Sequence, residues 1–408
     1  MLKRFGSNLA LSLLLFLTIE GFCSTFYVLR RNYAAVTVKP ATSFVQYDAG
    51  LGWNSVPNFY EKNYFAPGTY LRTNSRGFRA NEEFTPSIPL GRLRIICAGD
   101  SQTFGLGVDN DHTWCQLLES LDDRLQTVNI GMGAYGVDQT YLRYKREGSV
   151  LDHDINLFVV ITDDFRRATL SSFMGHPKPV LKLHNGELVT DNVPVPAPSR
   201  LARWVALRTA QVRGLGTEGQ LRSSVMLEKL FGFLRPSRDS WISNGPTAEQ
   251  FRIFDKMIAA VQAINENKNS VLVLVYLPTQ NYDNERELPA QACRAFLRSE
   301  CAKRHIQLID LVDDYQKLPL TTQEAMFFSR DFTQYSPDTP GHYNDLGEQY
   351  IAKQLYSRLV SIPQISQRLD RISHAGPDQE HSSKREPTRT KSTQMRAALH
   401  QGNSQELR

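Results

Sequence analysis

The stretch Leu93-Arg-Ile-Ile-Cys-Ala-Gly-Asp-Ser-Gln-Thr-Phe-Gly-Leu-Gly107 decides how the rest of the chain is read. Leu93 to Ala98 is largely apolar on both faces rather than alternating, the pattern of a strand buried inside a parallel sheet. The run stops at Gly99-Asp100-Ser101, and an amphipathic segment begins at about Thr113. A serine at the carboxyl end of a parallel strand lies on the edge where open α/β sheets place their ligands. Backbone N–H groups at a helix start are unpaired and stand ready beside such a hydroxyl. Taken alone, Gly-Asp-Ser reads as a turn whose serine caps the next helix. Its company elsewhere in the chain changes that reading.

Further apolar runs follow at Thr127–Ile130, Asn156–Ile161, Val271–Leu277 and Gln307–Leu311. They alternate with segments of helical spacing, clearest at Ala248–Asn265, Leu288–Arg304 and Asn344–Leu359. The alternation predicts an α/β fold, a flavodoxin-like three-layer α/β/α arrangement around a five-stranded parallel sheet. Three more polar blocks then fall on the edge that carries Ser101: Asn129 to Gly136, Ile161-Thr-Asp163-Asp164-Phe165, and Asp338-Thr-Pro-Gly-His342-Tyr-Asn344. Together they offer a nucleophile, a base, an orienting acid and oxyanion donors, the set that acyl transfer needs. His342 alone among the nine histidines has a nearby upstream acid and a place just before the last core helix. His112 and His153 read as surface residues.

These blocks resemble the SGNH (GDSL-type) hydrolase family, and more narrowly its membrane-anchored bacterial members. The resemblance runs from about Tyr47 to Leu359. It includes the Gly-Trp and Pro-Asn lead-in, Asn74-Ser-Arg-Gly-Phe-Arg79, the block around Ser101, Tyr135-Gly-Val-Asp-Gln139 and Pro177-Lys-Pro179. It implies a serine esterase or acyl hydrolase working through an acyl-enzyme. Ser101 would be the nucleophile, His342 the base and Asp338 its orienting acid. The oxyanion hole would comprise Ser101, Ala134 and Asp163.

The chain departs from the family pattern at three places. Ala134 takes a glycine position but keeps its N–H. Asp163 replaces an asparagine, so an ionised carboxylate would stand where a donor is wanted. Asp338 and His342 are four apart rather than three, with Asp331 as a fallback acid. Two alternatives follow: a scaffold or glycan-binding protein with weakened catalysis, or an O-acetyltransferase using the same serine and histidine. Gly131-Met-Gly-Ala-Tyr-Gly136 also fits a dinucleotide-binding pattern, but Asp152 and Asp154 precede the next strand instead of ending it.

At 408 residues with a net charge of +5 and no basic stripe interleaved with aromatics, the chain does not look built for nucleic acid. The five cysteines show no metal spacing, and Cys293 and Cys301 are too far apart in one helix to bridge. No cofactor or metal is implied. Residues 9–28 form an apolar run long enough to span a bilayer, with Glu20 inside it. An uncleaved signal anchor at the bacterial inner membrane is expected, with a cleaved signal peptide as the alternative. That places the remainder in the periplasm or outside the cell.

The expected organisation is a cytoplasmic tip and anchor at 1–31, a lead-in packed on the core at 32–90, and the hydrolase-like domain at 91–363. An insertion occupies about 166–246, with a hairpin turn at Asn185-Gly186 and a basic helical stretch from Leu201 to Leu234. Residues 364–408 read as a disordered tail. The expected partners are an ester or an acylated glycan as substrate and the inner membrane through residues 9–28; the oligomeric state is left open.

Overall fold

The computed structural model describes residues 11–18, 21, 43–197, 241, 244–280, 288–329 and 341–374. Its centre is a five-stranded parallel sheet of β1 (Leu93–Ala98), β2 (Leu125–Asn129), β3 (Ile155–Val160), β4 (Val271–Tyr276) and β5 (Gln307–Asp310). Their spatial order is β2-β1-β3-β4-β5, the flavodoxin-like order. Every residue of β1, β3 and β4 is buried, as the two-sided apolar runs require. The strands lie within two residues of their expected ends.

Alternate residues of each strand feed two cores. Ile96, Ala98, Phe158, Val160, Leu272 and Leu274 face α5 (Ala248–Asn267) and α6 (Leu288–Arg304), which follow the short helices α1 (Ser101–Phe104), α2 (Trp114–Leu121), α3 (Val137–Arg143) and α4 (Thr162–Arg167). Ile95, Cys97, Leu157, Val159, Val273 and Val275 face α2, α7 (Asp345–Val360) and α8 (Pro363–His374). Burial of both faces is what fixes three layers.

The chain leaves β1 outward to β2 and then returns past β1 to β3. Winding reverses between β1 and β3, so a crevice opens beyond their carboxyl ends. Ser101 follows β1 and Asp163 follows β3.

Outside the sheet, the lead-in forms two small hairpins, Val45–Asp48 with Gly52–Ser55 and Tyr60–Lys62 with Tyr70–Arg72. Phe44, Leu51, Trp53, Phe59 and Phe65 cluster there with Phe104, Met132 and Tyr135 of the core. The insertion carries the hairpin Val180–His184 with Glu187–Asp191. Asn185 and Gly186 both take positive φ, 51° and 82°, as a type I′ turn demands.

Two expectations are corrected. Residues 364–374 belong to α8 instead of a disordered tail: Ile365 and Leu369 are buried against the sheet-side core, two apolar anchors that a polar composition concealed. His153 is buried, bonded through Nε2 to the Tyr144 hydroxyl at 2.9 Å and through Nδ1 to the Leu151 carbonyl at 2.7 Å. His112 is exposed, near Asp109 and Asp345.

Most of residues 9–28, all of 201–234 and all of 375–408 lie outside the described residues. Among the described residues no helix is long and apolar enough to cross a membrane, and Cys97, Cys115, Cys293 and Cys301 are free and buried.

Candidate active site

β1 delivers the chain to Gly99, where any Cβ would meet Thr103 Oγ1 at 2.1 Å, so only glycine lets the strand turn straight into α1. Asp100 caps that helix, its Oδ1 accepting from the Gln102 N–H at 2.9 Å. Ser101 is therefore the first helical residue, almost wholly buried, and its own N–H has no acceptor among the described residues.

His342 comes from the other end of the chain. Its backbone is held by the Phe327–Phe328 segment: the Phe328 N–H donates to the His342 carbonyl at 2.9 Å, and the Gly341 N–H donates to the Phe328 carbonyl at 3.2 Å. Gln102 Nε2 donates to the Gly341 carbonyl at 3.2 Å, tying this loop to the helix that bears the serine. Behind it Tyr343 is buried and bonded to the Pro278 carbonyl, and Asn344 caps α7. The result is His342 Nε2 at 2.8 Å from Ser101 Oγ, hydrogen-bond distance for a base and its nucleophile. Asp338 and its fallback Asp331 lie outside the described residues.

The block after β2 is built from glycines and lead-in contacts. A Cβ on Gly131 would lie 2.5 Å from the Phe104 nitrogen, so this glycine serves close packing against α1 rather than a pyrophosphate. Trp53 Nε1 donates to the Gly133 carbonyl at 2.9 Å, and the Tyr135 hydroxyl donates to the Trp53 carbonyl at 2.6 Å. Between them Ala134 is held at φ 65°, and its N–H too has no acceptor among the described residues. Two uncommitted backbone donors, at Ser101 and Ala134, thus come from the turns that follow adjacent strands.

The block after β3 differs from what the family pattern implies. Asp163 accepts from Arg166 Nε at 2.6 Å and from Arg167 Nε at 2.7 Å. Burial pushes its carboxyl up, but Arg167 and Arg166 outweigh that and hold it below the usual range. An ionised carboxylate has no proton to give, so Asp163 is not an oxyanion donor, and its expected place in the oxyanion hole is corrected. Asp164 accepts from the Ile161 N–H at 3.1 Å and from Arg167 Nη1 at 3.0 Å. Burial, then the nearby Asp100, pushes its carboxyl well up.

Three largely buried cations around this edge lie outside the expected site. Arg167 meets Asp100, Asp163, Asp164 and the Tyr135 carbonyl, yet in sequence Asp-Asp-x-Arg-Arg looks like ordinary helix-surface pairing. Arg79 donates from Nη1 to the Phe104 carbonyl at 2.7 Å and also to Gly105, from Nη2 to Val108, and from Nε to Asn110. Arg143 donates to the carbonyls of Gly131 at 3.0 Å and Gly77 at 3.2 Å. The last two pin the turns after β1 and β2 to the lead-in. For Arg79, its place at the end of the Asn74–Arg79 motif was the available signal.

Among the described residues no group of His, Cys, Asp and Glu is arranged to hold a metal ion.

No protein-family model and no curated protein matches the chain. Solved structures do. A member of the lipolytic G-D-S-L family from Veillonella parvula is 12% identical over 65% of this chain and 97% of its own, with a TM-score of 0.36. A lipase/acylhydrolase from Enterococcus faecalis is 12% identical over 65% of this chain and 95% of its own, with a TM-score of 0.35. An acetyl xylan esterase is 15% identical over 65% of this chain and 100% of its own, with a TM-score of 0.33.

Proposed function

We propose that the protein is an SGNH-type serine ester hydrolase, exported and held at the inner membrane by residues 9–28, with O-acyl groups of envelope glycans as its substrate class. The observation that carries the chemistry is the 2.8 Å contact between His342 Nε2 and Ser101 Oγ. In the proposed reaction His342 takes the hydroxyl proton as Ser101 Oγ attacks the ester carbonyl. The N–H groups of Ser101 and Ala134 donate to the oxyanion of the tetrahedral intermediate. His342 then returns the proton to the leaving alkoxide, leaving Ser101 acylated. Water, activated by the same imidazole, cleaves the acyl-enzyme and restores the serine. Asp338 is assigned to orient the ring of His342 through Nδ1. The membrane location and the glycan substrate rest on the apolar N-terminal run and on family resemblance.

Asp163 favours a second reading, a fold that binds glycans without turning them over, because its carboxylate replaces a donor. A sugar hydroxyl in place of water would make the same acyl-enzyme serve acetyl transfer. One experiment separates activated from inert serine. The protein is treated with a fluorophosphonate probe and the labelled residue located by peptide mass spectrometry. Label on Ser101 that disappears in His342→Ala supports the hydrolase. A folded protein left unlabelled supports the binding protein. Product analysis with an acetylated glycan and a second glycan then divides hydrolysis from transfer.

A further inference from the structure

Acyl transfer at this site has two backbone donors and, where a third neutral donor is expected, an anion. A charge of opposite sign stands beside that anion. Arg167 lies on the last turn of α4, only 11% exposed, and is gripped on several sides at once. Nε bonds Asp163 Oδ2 at 2.7 Å, while Nη1 reaches Asp164 Oδ1 at 3.0 Å, the Tyr135 carbonyl at 3.1 Å and Asp100 Oδ2 at 3.2 Å. Tyr135 adjoins Ala134 and Asp100 adjoins Ser101, so the guanidinium is bonded to the neighbour of each backbone donor. One oxygen, Asp100 Oδ2, separates it from the nucleophile: Ser101 Oγ lies 3.4 Å from that same atom. The Phe173 ring stands with its centroid 5.3 Å from the guanidinium carbon.

We infer that Arg167 supplies, as a fixed positive charge linked to Ser101 through the Asp100 carboxylate, the oxyanion stabilisation that the residue at 163 cannot give. This rests on the hydrolase reading above. Three features make the residue suited to it. First, a guanidinium has five N–H groups in a rigid fork, and Nη2 has no acceptor among the described residues, so the group is not used up by its anchors. Second, it stays charged: burial works against the charge, but Asp164, Asp163 and Asp100 outweigh burial and raise its pKa further. Third, it is pre-positioned, so no reorganisation is required when negative charge develops on the substrate oxygen. Asp163 then has a purpose. It is the anchor that aims the arginine, and Arg166 shares the load on its other oxygen.

The test uses the full protein and its variants Arg167→Met, Arg167→Lys and Arg167→Ala. For each, the melting temperature, the rate of fluorophosphonate labelling at Ser101, kcat and KM on p-nitrophenyl acetate, and inhibition by phenylboronic acid are measured. Boronate forms an anionic tetrahedral adduct on the serine and so reports the charge stabilisation directly. Arg167→Met is expected to lose roughly a hundredfold in kcat and in labelling rate, with boronate affinity falling in step and KM little changed. Arg167→Lys keeps the charge and retains more of all three, and guanidinium ion added to Arg167→Ala restores part of the rate. If Arg167→Met does not fold, Arg167→Gln carries the same readings with donors but no charge. A folded neutral variant that labels and turns over as wild type overturns the inference and leaves the hydrolase standing. So does a loss of rate with unchanged boronate affinity, which marks a purely structural role. A wild-type protein that neither labels nor turns over at Ser101 overturns both.

Discussion

Lys178 Nζ donates to Asp138 Oδ2 in a place solvent does not reach, with both side chains at most 1% exposed. The ammonium spends its other hydrogens on the carbonyls of Leu170 at 3.2 Å and Pro179 at 3.0 Å, so every donor is satisfied. The pair joins the insertion to α3, on which the turn after β2 depends. Lys178→Met leaves Asp138 buried without its counter-charge and is expected to cost about 3–5 kcal/mol in urea denaturation. Lys178→Met with Asp138→Leu should recover most of that. A single variant as stable as wild type would show that the pair contributes nothing.

Arg79 gives a second prediction. It is buried, no carboxylate among the described residues is bonded to it, and burial lowers its pKa to about 10. Its bonds go to the carbonyls of Phe104, Gly105 and Val108 at the end of α1 and on the turn after it. Arg79→Met strands those carbonyls and should destabilise by roughly 3 kcal/mol or more. Because the same turn holds α1, fluorophosphonate labelling at Ser101 should slow in whatever fraction remains folded. Arg79→Lys, lacking the fork, is expected to recover little of either.

A third prediction concerns pH. Glu348 on α7 is buried, and burial pushes its carboxyl up to about 8 although the Trp114 N–H and Arg79 pull the other way. Below its ordinary value near 4.5, folded and unfolded chains both hold this proton. Between there and about pH 8 only the folded chain does, so stability falls as pH rises through that window. The limiting slope is about 1.4 kcal/mol per pH unit. Glu348→Gln keeps an acceptor for the Trp114 N–H and removes the titration. Its denaturation midpoint should be flatter across the window than that of wild type, and two parallel curves would contradict the assignment.

A fourth prediction concerns Ala134. Its φ of 65° lies in the left-handed region, where a Cβ costs about 1–2 kcal/mol. Ala134→Gly removes that strain while loosening the unfolded chain by somewhat less. A stability equal to wild type or up to about 1 kcal/mol higher is expected, with labelling at Ser101 intact. Loss of labelling with stability unchanged would mean that the methyl group itself shapes the substrate site.

The sheet was legible because β1, β3 and β4 are buried on both faces and therefore apolar except at Arg94 and Asn156. The turn at Asn185-Gly186 was legible because few other pairs tolerate its backbone. The pairing of residues 101 and 342 followed from strand edges in an α/β fold, where every block after a strand lands on one side. What could not be read was the fate of charged side chains. Arg79, Lys178 and Glu348 belong to residue types that usually face water, and only three-dimensional neighbours reveal that they are buried, as they alone reveal the two arginines that meet Asp163. Residues 364–374 were missed for a related reason: two apolar contacts suffice to dock α8, and composition averages them away.

Phe44, Trp53, Phe59 and Phe65 share one cluster with Phe104, Met132 and Tyr135. Stripping the chain back to residue 91 would leave the inner wall of that cluster facing water, a greasy scar directly behind Ser101. Such a fragment is expected to aggregate, whereas one starting just upstream of Phe44 keeps its seal. The aromatic collar and the helix that bears Ser101 are a single mechanical part, to be kept or lost together.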